Sequence, residues 1–190
     1  LAEFDAPLAP AVRLSLLDLA RASIGFGLQH GRPLAAPLDE CPPELREHRA
    51  SFVTLQRQGT LRGCIGSLEA HRPLIADVTE NAYAAAFRDP RFPPVALHEF
   101  ADLEIHLSLL THPEPVEAAS ESDLLRQLRP GEDGLILQEG SRRATFLPAV
   151  WESLPEPHRF VRHLKQKAGL PAEYWSDTLT VFRYRAEHIP

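Results

Sequence analysis

"FVTLQRQGTLRGCIG", residues 52–66, is the stretch that decides the fold. Phe52 to Gln56 reads as a short strand, Gln58-Gly59 as a turn, and Leu61 to Gly66 as a run back. A short glycine-containing loop between two strand-like runs predicts a β-hairpin. "LEIHLSLL", 103–110, alternates cleanly, with Leu103, Ile105, Leu107 and Leu109 on one face and Glu104, His106 and Ser108 on the other. A second hairpin is expected where Leu135–Gln138 and Ala144–Leu147 flank Glu139-Gly140-Ser141. Thr178 to Ile189 is expected to close the chain as one strand.

Helices lie between these strands. Leu14, Leu17, Ala20, Ile24 and Leu28 recur at three- and four-residue spacing and predict a helix over 10–29, with Asp18 and Arg21 as an i,i+3 pair beside the stripe. Pro73 opens a second helix with Leu74, Val78, Ala82 and Ala85 inward. Ser120-x-x-Asp123 caps a third, and Pro157 starts a fourth that Gly169-Leu170-Pro171 ends. Mixed elements with hairpin connections favour an α+β protein with antiparallel sheet over a doubly wound parallel one. The first and last elements are assigned to one larger domain, 1–111 with 178–190, and 112–177 to a smaller one.

The composition bounds the function. The chain has 190 residues, 44% hydrophobic and 24% charged, with a net charge of −6. This fits a soluble globular protein and argues against a dominant nucleic-acid surface, which requires clustered Lys and Arg. No apolar run reaches the ~20 residues of a membrane span. The N-terminal LAEFDAPLAP is acidic and does not read as a signal peptide. Cys41 and Cys64 make no disulfide framework and are expected to be free thiols in a reducing cytoplasm. The nine histidines are scattered, no metal-ligand spacing or nucleotide loop occurs, and no cofactor is expected.

Gly63 and Gly66 raise the chemical question, because glycine weakens a strand unless the backbone bends or something approaches closely. An extended 61–66 would project Arg62 and Cys64 to one face, where a guanidinium favours the thiolate. The glycines would then leave room for a substrate or a second domain. The competing reading is a packed cysteine, with Arg62 pairing an acid across a domain interface. Asp89-Pro90-Arg91 would place a carboxylate and a guanidinium at a cleft, or would be a plain turn into Pro93-Pro94. His71 and His106 are the candidate bases.

LRGCIG, "DPRFPP", "TFLPAVW", "KAGLPAEYW" and "FRYRAE" occur in this order. Together they resemble the AMMECR domain family, protein A of the AmmeMemoRadiSam system, over about residues 10–188. The resemblance implies two unequal α+β domains, each with an antiparallel sheet, the larger holding both termini. It also implies that the motif residues Leu61, Gly63, Ile65 and Gly66, with Asp89 and Arg91, lie at a domain interface mostly shielded from solvent. The family has no established activity. The resemblance further implies a pathway shared with a Memo-type protein and a radical S-adenosylmethionine enzyme. The alternative is a thiol-dependent enzyme in which Arg62 activates Cys64 toward a small substrate.

Overall fold

A computed structural model describes residues 6–190. Residues 1–5, which the sequence reading assigns to the larger domain and reads as part of an acidic start, lie outside the described residues. The chain is α+β and divides into two compact units. The first runs up to Thr111 and adds Glu187–Pro190, and the second is His112–Ala186.

The first unit opens with helix α1 (Pro10–His30). Its Pro10 supplies a pre-set φ at the first turn, and Gly31 ends it in the left-handed conformation at φ 67°. Strands β1 (Ser51–Arg57) and β2 (Thr60–Gly66) form the expected hairpin. Gln58 and Gly59 both take positive φ, 53° and 75°, the turn geometry that matches strand twist in two-residue hairpins. Helix α2 (Leu74–Phe87) and strand β3 (Leu103–Leu110) follow, and β8 (Ala186–Ile189) returns to complete a sheet ordered β2-β1-β3-β8. One face of this sheet, with Val53, Leu55, Ile105, Leu107 and Leu109, packs on Leu16, Ala20 and Ile24 of α1 and on Leu74, Val78, Ala82 and Ala85 of α2. Each of the Val, Leu and Ile side chains among these contributes about 1.5–3 kcal/mol when fully buried, and each alanine less.

The buried stripe of α1 differs from the expected one. Leu14 is 62% exposed, and the inward residues are Leu16, Ala20, Ser23, Ile24 and Gly27. The reason is close approach of α2: a Cβ at Gly27 would lie 2.6 Å from the Phe87 ring and 2.7 Å from Tyr83, while Ser23 donates to the Thr79 carbonyl at 2.7 Å. Small residues, invisible to a hydrophobic count, set the face. Arg21 also leaves its expected partner Asp18 and donates to the carbonyls of Phe100 (3.3 Å) and Leu103 (2.7 Å).

The second unit holds β4 (Glu114–Pro115), α3 (Glu121–Gln127), β5 (Gly134–Glu139), β6 (Arg142–Phe146), α4 (Pro157–Lys167) and β7 (Thr180–Tyr184). Its sheet is ordered β4-β7-β5-β6. Ser120 caps α3, its Oγ accepting from the Asp123 N–H, and Gly169 ends α4 at φ 82° with the Leu170 N–H on the Lys165 carbonyl. Trp151 stacks on Phe160 at 3.8 Å and donates its indole N–H to the Asp133 carbonyl. The closing segment is not one strand. Residues 180–184 pair with β5 in the smaller unit, and only Ala186–Ile189 joins the first sheet, so the chain changes units after Ala186 rather than before Thr178. The alternating apolar pattern cannot reveal this crossing, because both halves face a core.

Candidate functional site

The motif strand β2 is the edge of its sheet, and it is not regular. Leu55 pairs with Gly63 but Gln56 pairs with Leu61, so Arg62 is an extra residue in a β-bulge. A bulge re-aims its side chain. Arg62 reaches Glu99, with Nε donating to Oε2 at 2.7 Å and Nη2 to Oε1 at 3.1 Å, and Nη2 also meets the Pro93 carbonyl at 2.8 Å. Glu99 is 8% exposed and also accepts the Ala96 N–H. The Arg62 guanidinium holds the Glu99 carboxyl down to about 2, against the opposing pull of burial.

Gly63 faces the core side. A Cβ there would lie 2.1 Å from the Ala85 carbonyl oxygen of α2. A Cβ at Gly66 would lie 2.3 Å from the Phe52 ring and 2.6 Å from the Ser51 carbonyl. The space that the sequence reading left for a substrate or second domain beside these glycines is therefore filled from within the first unit. Leu61 is 38% exposed, and Ile65 packs partly buried on the core.

Cys64 is partly exposed, and the loop after α2 closes on it. Its N–H donates to Asp89 Oδ2 at 3.0 Å, and its carbonyl accepts from Arg91 Nη2 at 3.5 Å. Arg91 in turn binds the Asp89 carboxylate with Nη2 (2.7 Å) and Nε (3.0 Å). Asp89 and Arg91 thus take the donor and acceptor positions that a neighbouring strand would fill, closing a sheet edge with side chains. Arg91 holds the Asp89 carboxyl far below the usual range, with burial opposing and the Cys64 and Arg91 amides assisting. Asp89 is buried, whereas the Arg91 side chain is 55% exposed.

The sequence candidates Cys64, Asp89 and Arg91 do come together, through the peptide group of Cys64. Arg62 is committed elsewhere, and the guanidinium that touches Cys64 is that of Arg91. The Cys64 sulfur lies 3.2 Å from Thr54 Oγ1. Thr54 pairs with Cys64 on one side and His106 on the other, so the three form a row across β2, β1 and β3. Two strand spacings, about 9.5 Å, separate the outer pair. His71 instead sits exposed in the loop after β2, its ring nitrogen on the Glu69 carbonyl at 3.0 Å.

Sequence reasoning missed Thr54 and Glu99; strand register identifies the first, and no local signal marks the second. It also missed the buried Asp77, whose Oδ2 accepts from Ser51 N–H (2.8 Å), Ser51 Oγ (2.5 Å) and Asn81 Nδ2 (3.0 Å). Arg72 Nε donates to its Oδ1 at 2.7 Å. This network ties α2 to the start of β1, and the Ser67 N–H on the Ser51 carbonyl fixes the end of the motif. Both cysteines are free thiols. Among the described residues no three His, Cys, Asp or Glu side chains form a metal-binding group, and no helix is long and apolar enough to cross a membrane.

Two antiparallel sheets in an α+β chain, with a glycine-bearing edge strand closed by an Asp-Pro-Arg loop, define the class of protein. The chain belongs to the AMMECR1 family, whose model matches residues 17–189. It is 39% identical over 188 residues to a protein of Methanothermobacter thermautotrophicus, covering 96% of this chain and 95% of that one. It is 39% identical over 183 residues to a protein of Thermococcus gammatolerans, covering 90% and 86% respectively. The crystal structure of uncharacterized protein PH0010 from Pyrococcus horikoshii superposes with a TM-score of 0.84 at 34% identity, covering 95% of this chain and 92% of that one.

Proposed function

We propose that this protein is a component of a cytoplasmic pathway shared with a Memo-type protein and a radical S-adenosylmethionine enzyme. It acts by presenting the surface around the closed edge of β2 to a partner. One observation carries this reading. Arg62 and Asp89, the charged groups best able to drive a reaction at Cys64, are both bound into internal contacts. The apolar residues around them stay in solvent, with Leu61 38% and Leu97 76% exposed and Pro93 and Pro94 also exposed. A rigid platform with exposed apolar groups suits recognition. Neither nucleic acid nor membrane enters this reading. Native mass spectrometry of the purified chain with each of the two proteins tests it, and a stoichiometric complex with either supports it.

A second reading is a thiol-dependent enzyme using Cys64. The observation that favours it is a partly exposed sulfur 3.2 Å from a hydroxyl, with the Arg91 guanidinium on the same residue's carbonyl. Arg91 then replaces Arg62 as the assisting cation. Covalent adducts on Cys64 after incubation with cell-extract metabolites test this second reading.

A further inference from the structure

We propose that the closed edge of β2 takes an acidic protein segment, one in which carboxylates alternate with apolar side chains. This rests on the platform reading above and adds the chemistry of what the platform holds.

The surface is built from residues 60–66 and 88–98, which side chains join. Arg62 of the first segment donates to the Pro93 carbonyl of the second, and Asp89 of the second accepts the Cys64 N–H. The Phe92 ring has two guanidinium groups within cation–π reach, Arg91 at 5.4 Å and Arg62 at 5.9 Å. Pro90, Pro93 and Pro94 are exposed and fix their own φ. A surface ordered in advance loses little entropy when a partner binds.

Charge is sorted by depth. The one carboxylate in these segments, Asp89, and the Glu99 that follows them are buried. The arginines reach solvent. Arg88 is exposed, with the Tyr83 ring at 5.0 Å and no carboxylate partner among the described residues. Arg91 spends Nε and Nη2 on Asp89 yet keeps 55% of its side chain exposed, which leaves Nη1 for an outside acceptor. Seen from solvent, the charged groups of this edge are donors only, on a chain whose net charge is −6. Guanidinium groups of this kind bind carboxylates strongly. The same segments expose Leu61 and Leu97.

Strand addition is closed off at Cys64, whose N–H and carbonyl are taken by Asp89 and Arg91. Recognition therefore runs through side chains. A nucleic acid would satisfy the arginines and leave the leucines and prolines against sugar and phosphate. An acidic segment with apolar residues satisfies both.

The test is a titration of the isotopically labelled chain with an end-capped nonapeptide of alternating glutamate and leucine, followed by amide chemical shifts. The controls, at equal ionic strength, are the same peptide with lysine for glutamate, the same peptide with serine for leucine, and oligothymidylate. The glutamate–leucine peptide should shift amides within 60–66 and 88–98 and bind at least tenfold tighter than each control. It should weaken at least tenfold in the Arg88→Glu/Leu97→Asp double variant. Raising salt from about 0.05 M to about 0.3 M should weaken it about threefold, because exposed charges are screened. Shifts confined to other residues, equal binding of any control, or unchanged binding by the double variant would overturn the assignment. So would a dimer of the chain through this edge that the peptide does not displace. The wild-type map and the control peptides decide the matter if the variant does not fold. A complex with the Memo-type or radical protein without peptide binding overturns the acidic chemistry alone. Peptide binding without either complex supports the acidic chemistry and overturns the choice of those partners.

Discussion

The carboxylate of Asp89 accepts the amide hydrogen of Cys64 at 3.0 Å, and both residues belong to the first unit. This bond gives a physical reason for LRGCIG and DPRFPP to occur together. One supplies a bulged edge strand, and the other supplies the side chains that close it.

Asp89→Ala leaves the Cys64 N–H without its acceptor and Arg91 without its carboxylate. Arg91 is half in water and recovers, so the cost is that of one unsatisfied buried donor, about 2 kcal/mol. Asp89→Asn keeps an acceptor oxygen and should lose about half as much. Chemical denaturation of both variants checks the order. The amide hydrogen of Cys64 should exchange faster in the alanine variant while the β1–β2 pairing stays protected.

Gly63→Ala should destabilise the protein by about 3 kcal/mol, because its Cβ meets backbone rather than a movable side chain: the Ala85 carbonyl at 2.1 Å. Gly59→Ala meets nothing within 4 Å and costs only the strain of its φ of 75°. That should be about 1 kcal/mol. Thermal melts of the two variants compare a steric role with a turn role inside one hairpin.

The acid limb of stability follows from Glu99 and Asp89, both held below their ordinary values by arginine partners. A carboxyl whose folded value is depressed binds protons more readily when unfolded. Its stabilisation is therefore full above the unfolded value, near 4.5 for Glu99, and is lost as pH falls toward about 2. Urea unfolding between pH 6 and pH 2 should show this decline. Glu99→Gln should be less stable at pH 6 and should flatten the slope.

Cys64 should alkylate faster than Cys41 in the native protein. Cys41 is 7% exposed with its thiol on the Leu38 carbonyl, and Cys64 is the more open of the two. Peptide-resolved iodoacetamide labelling reads this directly. Arg91→Ala, and not Arg62→Ala, is the variant expected to alter the Cys64 rate without disturbing Glu99.

Much of the architecture was legible from pattern. The two hairpins, the alternation of β3, the inward face of α2 and the caps of α3 and α4 follow from local chemistry. What was not legible depended on register and on small residues. Nothing in LRGCIG says that Arg62 is a bulge residue, so its presumed alignment with Cys64 was a consequence of assuming regular alternation. The facing of α1 hinged on Gly27, and the split of 178–189 on which core each half entered. Asp89 and Arg91 were visible as a charged pair, but their target, the peptide group of Cys64, is set by a contact between residues 25 positions apart.

The central claim, that the motif is a rigid platform for a partner rather than a reaction centre, is tested most directly by native mass spectrometry with the Memo-type and radical proteins. Three forms are compared: wild type, Cys64→Ala and Leu97→Asp. The account predicts a complex with at least one partner for the wild type, the same complex for Cys64→Ala, and at least a tenfold loss for Leu97→Asp, which folds normally because Leu97 is 76% exposed. Failure of the wild type to associate with either protein, or a complex lost with Cys64→Ala and kept with Leu97→Asp, would contradict it.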